Sequence, residues 1–189
     1  MIDPMTTADG GSLRIPPHLE LRGDGLHLRE WTDDDLPAMT EIFDEPQVHR
    51  WTPLRSPFDL AAAREYLDRA RDGRLEGGRF QLAITSDGRT PLGEVLFYSS
   101  GGGPDEAEVA YAVGAAHRRR GLARRAVTLV TGYAHGTLGI RRVVLRIDPE
   151  NVASIAVAHA AGYQPTDEPP VVRESENRTV RLRTWCHLR

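Results

Sequence analysis

Three consecutive arginines followed by a glycine and a small residue, Arg118-Arg119-Arg120-Gly121-Leu122-Ala123, are the residues whose types and spacing point most directly to chemistry in this chain. Upstream, Val109, Tyr111 and Val113 alternate with the period of a strand. Downstream, Leu122, Ala126, Leu129, Val130, Tyr133 and Leu138 recur at three- and four-residue steps, the stripe of an amphipathic helix. The arginines therefore sit at a strand-to-helix turn. The first N–H groups of a helix lack internal partners, and the helix dipole makes that end partly positive. Gly121 and Ala123 keep bulk away from the bare backbone, so an anion can approach it. Each exposed contact of that kind contributes about 0.3–1 kcal/mol, and guanidinium groups add fork-shaped, charge-assisted donors. The expected ligand is a pyrophosphate.

The elements that must position this turn are legible on both sides of it. Residues 26–29 alternate as a first strand, and Thr32 followed by Asp33, Asp34 and Asp35 offers a helix cap and an acidic first turn. The helix carrying Leu36, Met39, Ile42 and Phe43 is expected to stop before Pro46. Residues 47–58 read as irregular, and Ser56-Pro57 as the start of a helix through Leu60, Ala63, Tyr66, Leu67 and Ala70. Residues 80–84 and 91–97 are expected strands joined by a turn at Asp87-Gly88, and 106–113 is the strand entering the basic turn. Beyond the central helix, 141–147 alternates again. Asn151 caps a last helix ended by Gly162, and 171–173 with 179–188 form a closing hairpin. Residues 1–24 read as a flexible extension before one domain spanning 25–189. The expected architecture is α/β (α+β): a mixed, mostly antiparallel sheet of six to seven strands flanked by about four helices.

Composition removes several classes of function. Forty per cent apolar and 27% charged residues, with no long apolar run, describe an ordinary globular chain without a membrane span, and a cytoplasmic setting is expected. The one cysteine, Cys186, allows neither an internal disulfide nor a cysteine metal cluster. All 24 basic residues are arginine, which excludes Schiff-base and P-loop lysine chemistry and suggests GC-rich bacterial coding. A net charge of −3 and the lack of interleaved aromatics weigh against nucleic acid as partner of the arginine cluster. His117 and His159 have no companions at metal-ligand spacing, and no metal is expected.

The turn Arg118-x-x-Gly121-x-Ala123 resembles the Q/R-x-x-G-x-G/A acyl-coenzyme A motif of the GNAT N-acetyltransferase superfamily. Asn151-x-x-Ser154, followed by Ala161-Gly162-Tyr163, is similar to the N-x-x-S…G-F segment of the branch acting on ribosomal-protein N-termini. The stretch from Leu26 to Asp35 resembles that branch's first strand and helix start. Two positions depart from the pattern. Arg119 stands where the family usually has glycine, and Ala158 where many members carry a tyrosine acid.

The resemblance implies a GNAT fold and transfer of an acyl group from a coenzyme A thioester to a primary amine by direct attack. It places acetyl-CoA contacts at Tyr111, Ala112 and Val113, at Arg118, Arg119, Arg120, Gly121, Leu122 and Ala123, and at Asn151 and Ser154. An α-ammonium has a reference pKa near ~8 and attacks only when neutral, so a base assists. Glu108 is the expected base, Glu94 the second candidate and Glu106 the third; Ser154 is the expected donor to the departing thiolate. Trp51 and Arg50, between the first two helices, are candidates for the acceptor site. The acceptor amine, the donor's acyl group (acetyl, succinyl or another) and homodimer formation remain open at this level. So does a non-catalytic module on the same fold that reads nucleic acid or a protein through its arginines.

Overall fold

The alternating residues at 26–29 and 80–84 do build the sheet. The computed structural model describes residues 15–175 and 178–189. Strand β1 (Leu21–Gly23) is antiparallel to β2 (Leu26–Glu30), which pairs with β3 (Arg79–Thr85), itself paired with β4 (Gly93–Ser99) and through it with β5 (Glu106–Val113). β5 is parallel to β6 (Arg142–Ile147), and β6 is antiparallel to the long last strand β9 (Arg178–Leu188). The short β7 (Gln164–Pro165) and β8 (Val171–Ser175) both pair with β9, giving nine strands among the described residues where six to seven were expected. One of the two additions expected least, β1, lies inside the stretch read as a flexible extension. Leu19 is buried just before it and Leu21 packs against the core. Residues 1–14 of that extension, and the hairpin tip at 176–177, lie outside the described residues.

Five α-helices flank the sheet: α1 (Leu36–Phe43), α2 (Pro46–Trp51), α3 (Leu60–Leu75), α4 (Leu122–Gly136) and α5 (Val152–Ala160). Among the described residues none is long and apolar enough to cross a membrane. The first helix does end before Pro46, at Phe43, but residues 47–51, read as irregular, belong to a helix: Pro46 occupies the first position of α2, where its missing N–H costs nothing. Helix α3 starts after Asp59, whose carboxylate accepts from the Ala62 N–H at 2.8 Å, and not at Ser56-Pro57.

The two faces of the sheet carry separate cores. One face packs Phe80, Leu82, Val95, Phe97, Val109, Val143 and Leu145 beneath α4 and α5. The other buries Trp31, Met39, Ile42, Phe43, Phe58, Ala63 and Ala83 under α1 to α3. Residues of opposite parity on one strand thus look into different halves of the molecule. Glu94, Glu108 and Ala112 lie on the α1–α3 face, while Tyr111 lies on the α4–α5 face.

Candidate active site

β5 and β6 form a fork. Their parallel pairing covers Glu106, Ala107 and Glu108 and then stops, yet β5 runs on to Val113. From Val109 to Val113 one edge of β5 has no strand partner among the described residues, so its peptide groups face the gap between the diverging strands. The basic turn lies at the end of β5 and the N-terminus of α5 at the end of β6, so both close the open side. Close packing on the other edge of β5 depends on Gly93: a Cβ there would sit 2.4 Å from the Ala112 carbonyl oxygen.

At the turn, Gly121 is the N-cap of α4 with φ +69°, and no side chain caps it. The backbone N–H groups from Arg119 to Ala123 have no hydrogen-bond partner among the described residues. Arg119, in place of the usual glycine, nevertheless adopts the glycine-like conformation, with φ +60°. The arginines divide into two groups. Arg119, Arg120 and Arg124 are exposed with no side-chain partner among the described residues. Arg125 donates to the carbonyls of Asp24 and Arg120. Arg118 is the most engaged: its guanidinium donates to Glu45, to Gln47 at 2.8 Å and to the Val113 carbonyl at 3.1 Å. It braces the turn against the start of α2 with three of its five N–H donors.

Across the fork, Asn151 caps α5, accepting from the Ser154 N–H at 3.1 Å. The Tyr111 hydroxyl reaches towards Ser154. It is buried with no hydrogen-bond partner at normal distance, and burial pushes it up to about 12 against the pull of the Ser154 side chain. Ala158, at the position of the usual tyrosine, is fully buried in the core and leaves no room for a phenol there.

The three carboxylates separate clearly. Glu94, opposite Ala112, is 2% exposed and accepts from Trp31 Nε1 at 2.9 Å and from the Tyr66 hydroxyl at 2.6 Å. Burial among neutral donors pushes its carboxyl up from 4.5 to about 7, against the pull of those two bonds. Tyr66 in turn accepts from Gln81 Nε2 at 2.7 Å. Glu108 is also 2% exposed, but its oxygens accept from Arg146, from Arg173 at 2.7 and 2.8 Å and from the Tyr98 hydroxyl at 2.6 Å. With two guanidiniums and a phenol on its two oxygens, this carboxylate is fully occupied by partners inside the protein. Glu108 is therefore corrected from base to ion-pair member. Glu106 is paired likewise, with Arg142 and with Ser100 Oγ at 2.6 Å.

At the end of β6 a groove of about 480 Å³ opens between three walls. Arg50 and Trp51 of α2 form one, the turn Asp148–Glu150 the second, and Thr179 to Arg181 of β9 the third. Arg50 stacks 4.5 Å over the Trp51 ring and donates to Glu150 at 3.2 Å. The sequence alone pointed to Arg50 and Trp51. It missed the Trp31–Glu94–Tyr66 contact, Arg181 and Arg173, because each is brought to its partner by pairing between distant strands or helices.

A strand fork beside a bare helix N-terminus, with walls from both chain halves, is the geometry of the candidate site. The acetyltransferase (GNAT) domain family matches residues 25–164, and the chain belongs to that family. It is an acetyltransferase. It is 25% identical over 141 residues, 74% of this chain and 79% of the other, to an uncharacterized N-acetyltransferase, p20, of Bacillus licheniformis. Among solved structures it is similar to Mycobacterium smegmatis RimJ in complex with CoA-disulfide (TM-score 0.74, 17% identity, 90% and 86% of the two chains). It is also similar to the microcin C7 self-immunity acetyltransferase MccE in complex with acetyl-CoA and AMP (TM-score 0.74, 14% identity, 88% and 94%).

Proposed function

We propose that the protein transfers acetyl from acetyl-CoA to a primary amine, either a protein N-terminal α-amine or that of a small molecule, by direct attack. The observation that carries this reading is the fork: an unpaired β5 edge ending in a turn of unpartnered N–H groups and exposed Arg119 and Arg120. The pyrophosphate lies on the N–H groups of Arg119 to Ala123, and the pantetheine amides continue the sheet along Tyr111, Ala112 and Val113. Asn151 and Ser154 border the same channel from α5. The thioester then lies between the two faces, which carry different chemistry.

On the α1–α3 face, Glu94 accepts the amine proton. A group near 7 is about half ionised at neutral pH, so it combines availability with basicity. At 2% exposure it acts through an intervening water. On the α4–α5 face, the Ser154 hydroxyl, with Tyr111 beside it, donates to the departing thiolate and takes the part of the phenol missing at Ala158. The acceptor enters along the groove of Arg50, Trp51, Asp148 and Arg181, whose mixed charge and aromatic surface suit a polar amine better than an apolar one. The donor channel reads pyrophosphate and pantetheine, and acetyl is the acyl group the family description names.

Calorimetric titration with acetyl-CoA tests the reading. Saturable binding that Gly121→Trp abolishes is expected, since a bulky side chain at φ +69° both strains and covers the cradle. Absence of binding by the unaltered protein would overturn it.

A further inference from the structure

The Glu108 cluster lies outside the proposed chemistry, yet it gathers two guanidiniums and a phenol on one carboxylate that is 2% exposed. Glu108 is the last β5 residue paired with β6, at the crotch of the fork. Its carboxylate collects Tyr98 from β4, Arg146 from β6 and Arg173 from β8. Among the described residues β8 pairs with no strand but β9, through Val171↔Leu182 to Ser175↔Arg178. β9 itself pairs with β6 only from Arg183 onwards. The hairpin arm made of β8 and the first part of β9 thus extends beyond the sheet. Arg173, reaching back to Glu108, ties that arm to the crotch. The same arm carries Thr179, Val180 and Arg181, one of the three walls of the groove. Val180 is the direct partner of Arg173 in the hairpin, so the tether and the wall share one rung.

We propose that the Glu108–Arg173 ion pair is a latch that sets the position of this hairpin wall, making both residues positioning residues for the acceptor and not for the cosubstrate. The inference rests on the groove being the acceptor's site. The pyrophosphate turn, at the opposite end of β5 from Glu108, has no contact with the latch, so the two binding steps respond differently to its loss. Arg173 is the residue to change, because its side chain is 42% exposed and its removal leaves Glu108 still paired with Arg146.

The experiment compares Arg173→Gln and Arg173→Lys with the unaltered protein, using the best acceptor from a panel of free-N-terminus peptides and simple amines. Misplacing one wall is expected to raise the acceptor KM about tenfold or more in Arg173→Gln. The acetyl-CoA dissociation constant should stay within about twofold, because its cradle is untouched. Arg173→Lys, which keeps the charge without the fork, should fall between the two. Independently of any acceptor, amide exchange in 171–174 and 179–182 should quicken about tenfold in Arg173→Gln while α4 is unchanged. An unchanged acceptor KM with unchanged exchange would overturn the latch, as would acetyl-CoA affinity falling in step with the acceptor KM. If the unaltered protein acetylates no amine, the reading of the groove fails instead, and the exchange measurement still decides whether the hairpin is latched.

Discussion

Glu94 and Glu108 stand on adjacent strands, on one face of one sheet, and are equally hidden, each 2% exposed. Their neighbours make them opposites. Glu94 is wrapped by an indole N–H and a phenol O–H, neutral donors that only partly compensate for lost water, so its carboxyl rises to about 7. Glu108 meets two guanidiniums and a phenol, which occupy both of its oxygens. Burial makes a carboxylate unusual, but the charge of its partners decides whether it can exchange a proton or can only hold things together.

The largest expected difference between the two is in stability. Glu108→Leu leaves Arg146 and Arg173 facing an apolar group in a mostly buried setting and should cost about 3–5 kcal/mol in chemical denaturation. Glu94→Gln keeps the shape and removes the charge but turns one of the two accepting oxygens into an NH2 that faces a donor, and should cost the smaller amount of about 1–3 kcal/mol at neutral pH. Equal losses would erase the distinction.

Stability against pH sharpens it. The native Glu94 carboxyl binds its proton more tightly than the unfolded one, about 7 against 4.5, so protonation favours the folded state. That contribution is full below 4.5 and is lost as pH rises to about 7, an effect of order 3 kcal/mol. Denaturation midpoints at pH 5 and pH 8 should show this fall in the unaltered protein, and a flatter response in Glu94→Gln.

Smaller effects are expected at the turn, where a second contrast separates arginines that face outward from those already engaged. Arg120→Ala should weaken acetyl-CoA binding by about three- to tenfold, within the worth of one charge-assisted contact. Arg125→Ala, whose guanidinium holds the Asp24 carbonyl, should weaken it less. Arg119→Gly relieves a side chain held at φ +60° and should raise stability by about 1 kcal/mol while losing a cation beside the phosphate. Equal calorimetric effects of Arg120→Ala and Arg125→Ala would mean that the turn does not sort its arginines in this way.

Much of the fold was legible because it is written in local periodicity. The alternation at 109–113, the stripe from Leu122 to Leu138 and the Asn151 cap each report on neighbours a few residues away. The basic turn between β5 and α4 was legible for the same reason. What stayed hidden depends on distant pairing. Pro46 reads equally well as a stop or as the first residue of a helix, and the packing of Val48 into the second core decides for α2. A strand of three residues such as β1 has no period to read; its pairing with β2 defines it. That Arg118 also braces α2 depends on Glu45, 73 residues earlier. Glu108 looked a better base than Glu94 until β8, 65 residues later, delivered Arg173.

The most direct test is the pH dependence of kcat/KM for acetyl transfer in the unaltered protein, Glu94→Gln and Glu108→Gln. The unaltered enzyme should gain activity as pH rises through an ionisation near 7. Glu94→Gln should lose about a hundredfold and that ionisation with it, while Glu108→Gln keeps the ionisation at whatever rate remains. A Glu94→Gln enzyme with full activity and an unchanged profile would contradict the assignment of the base.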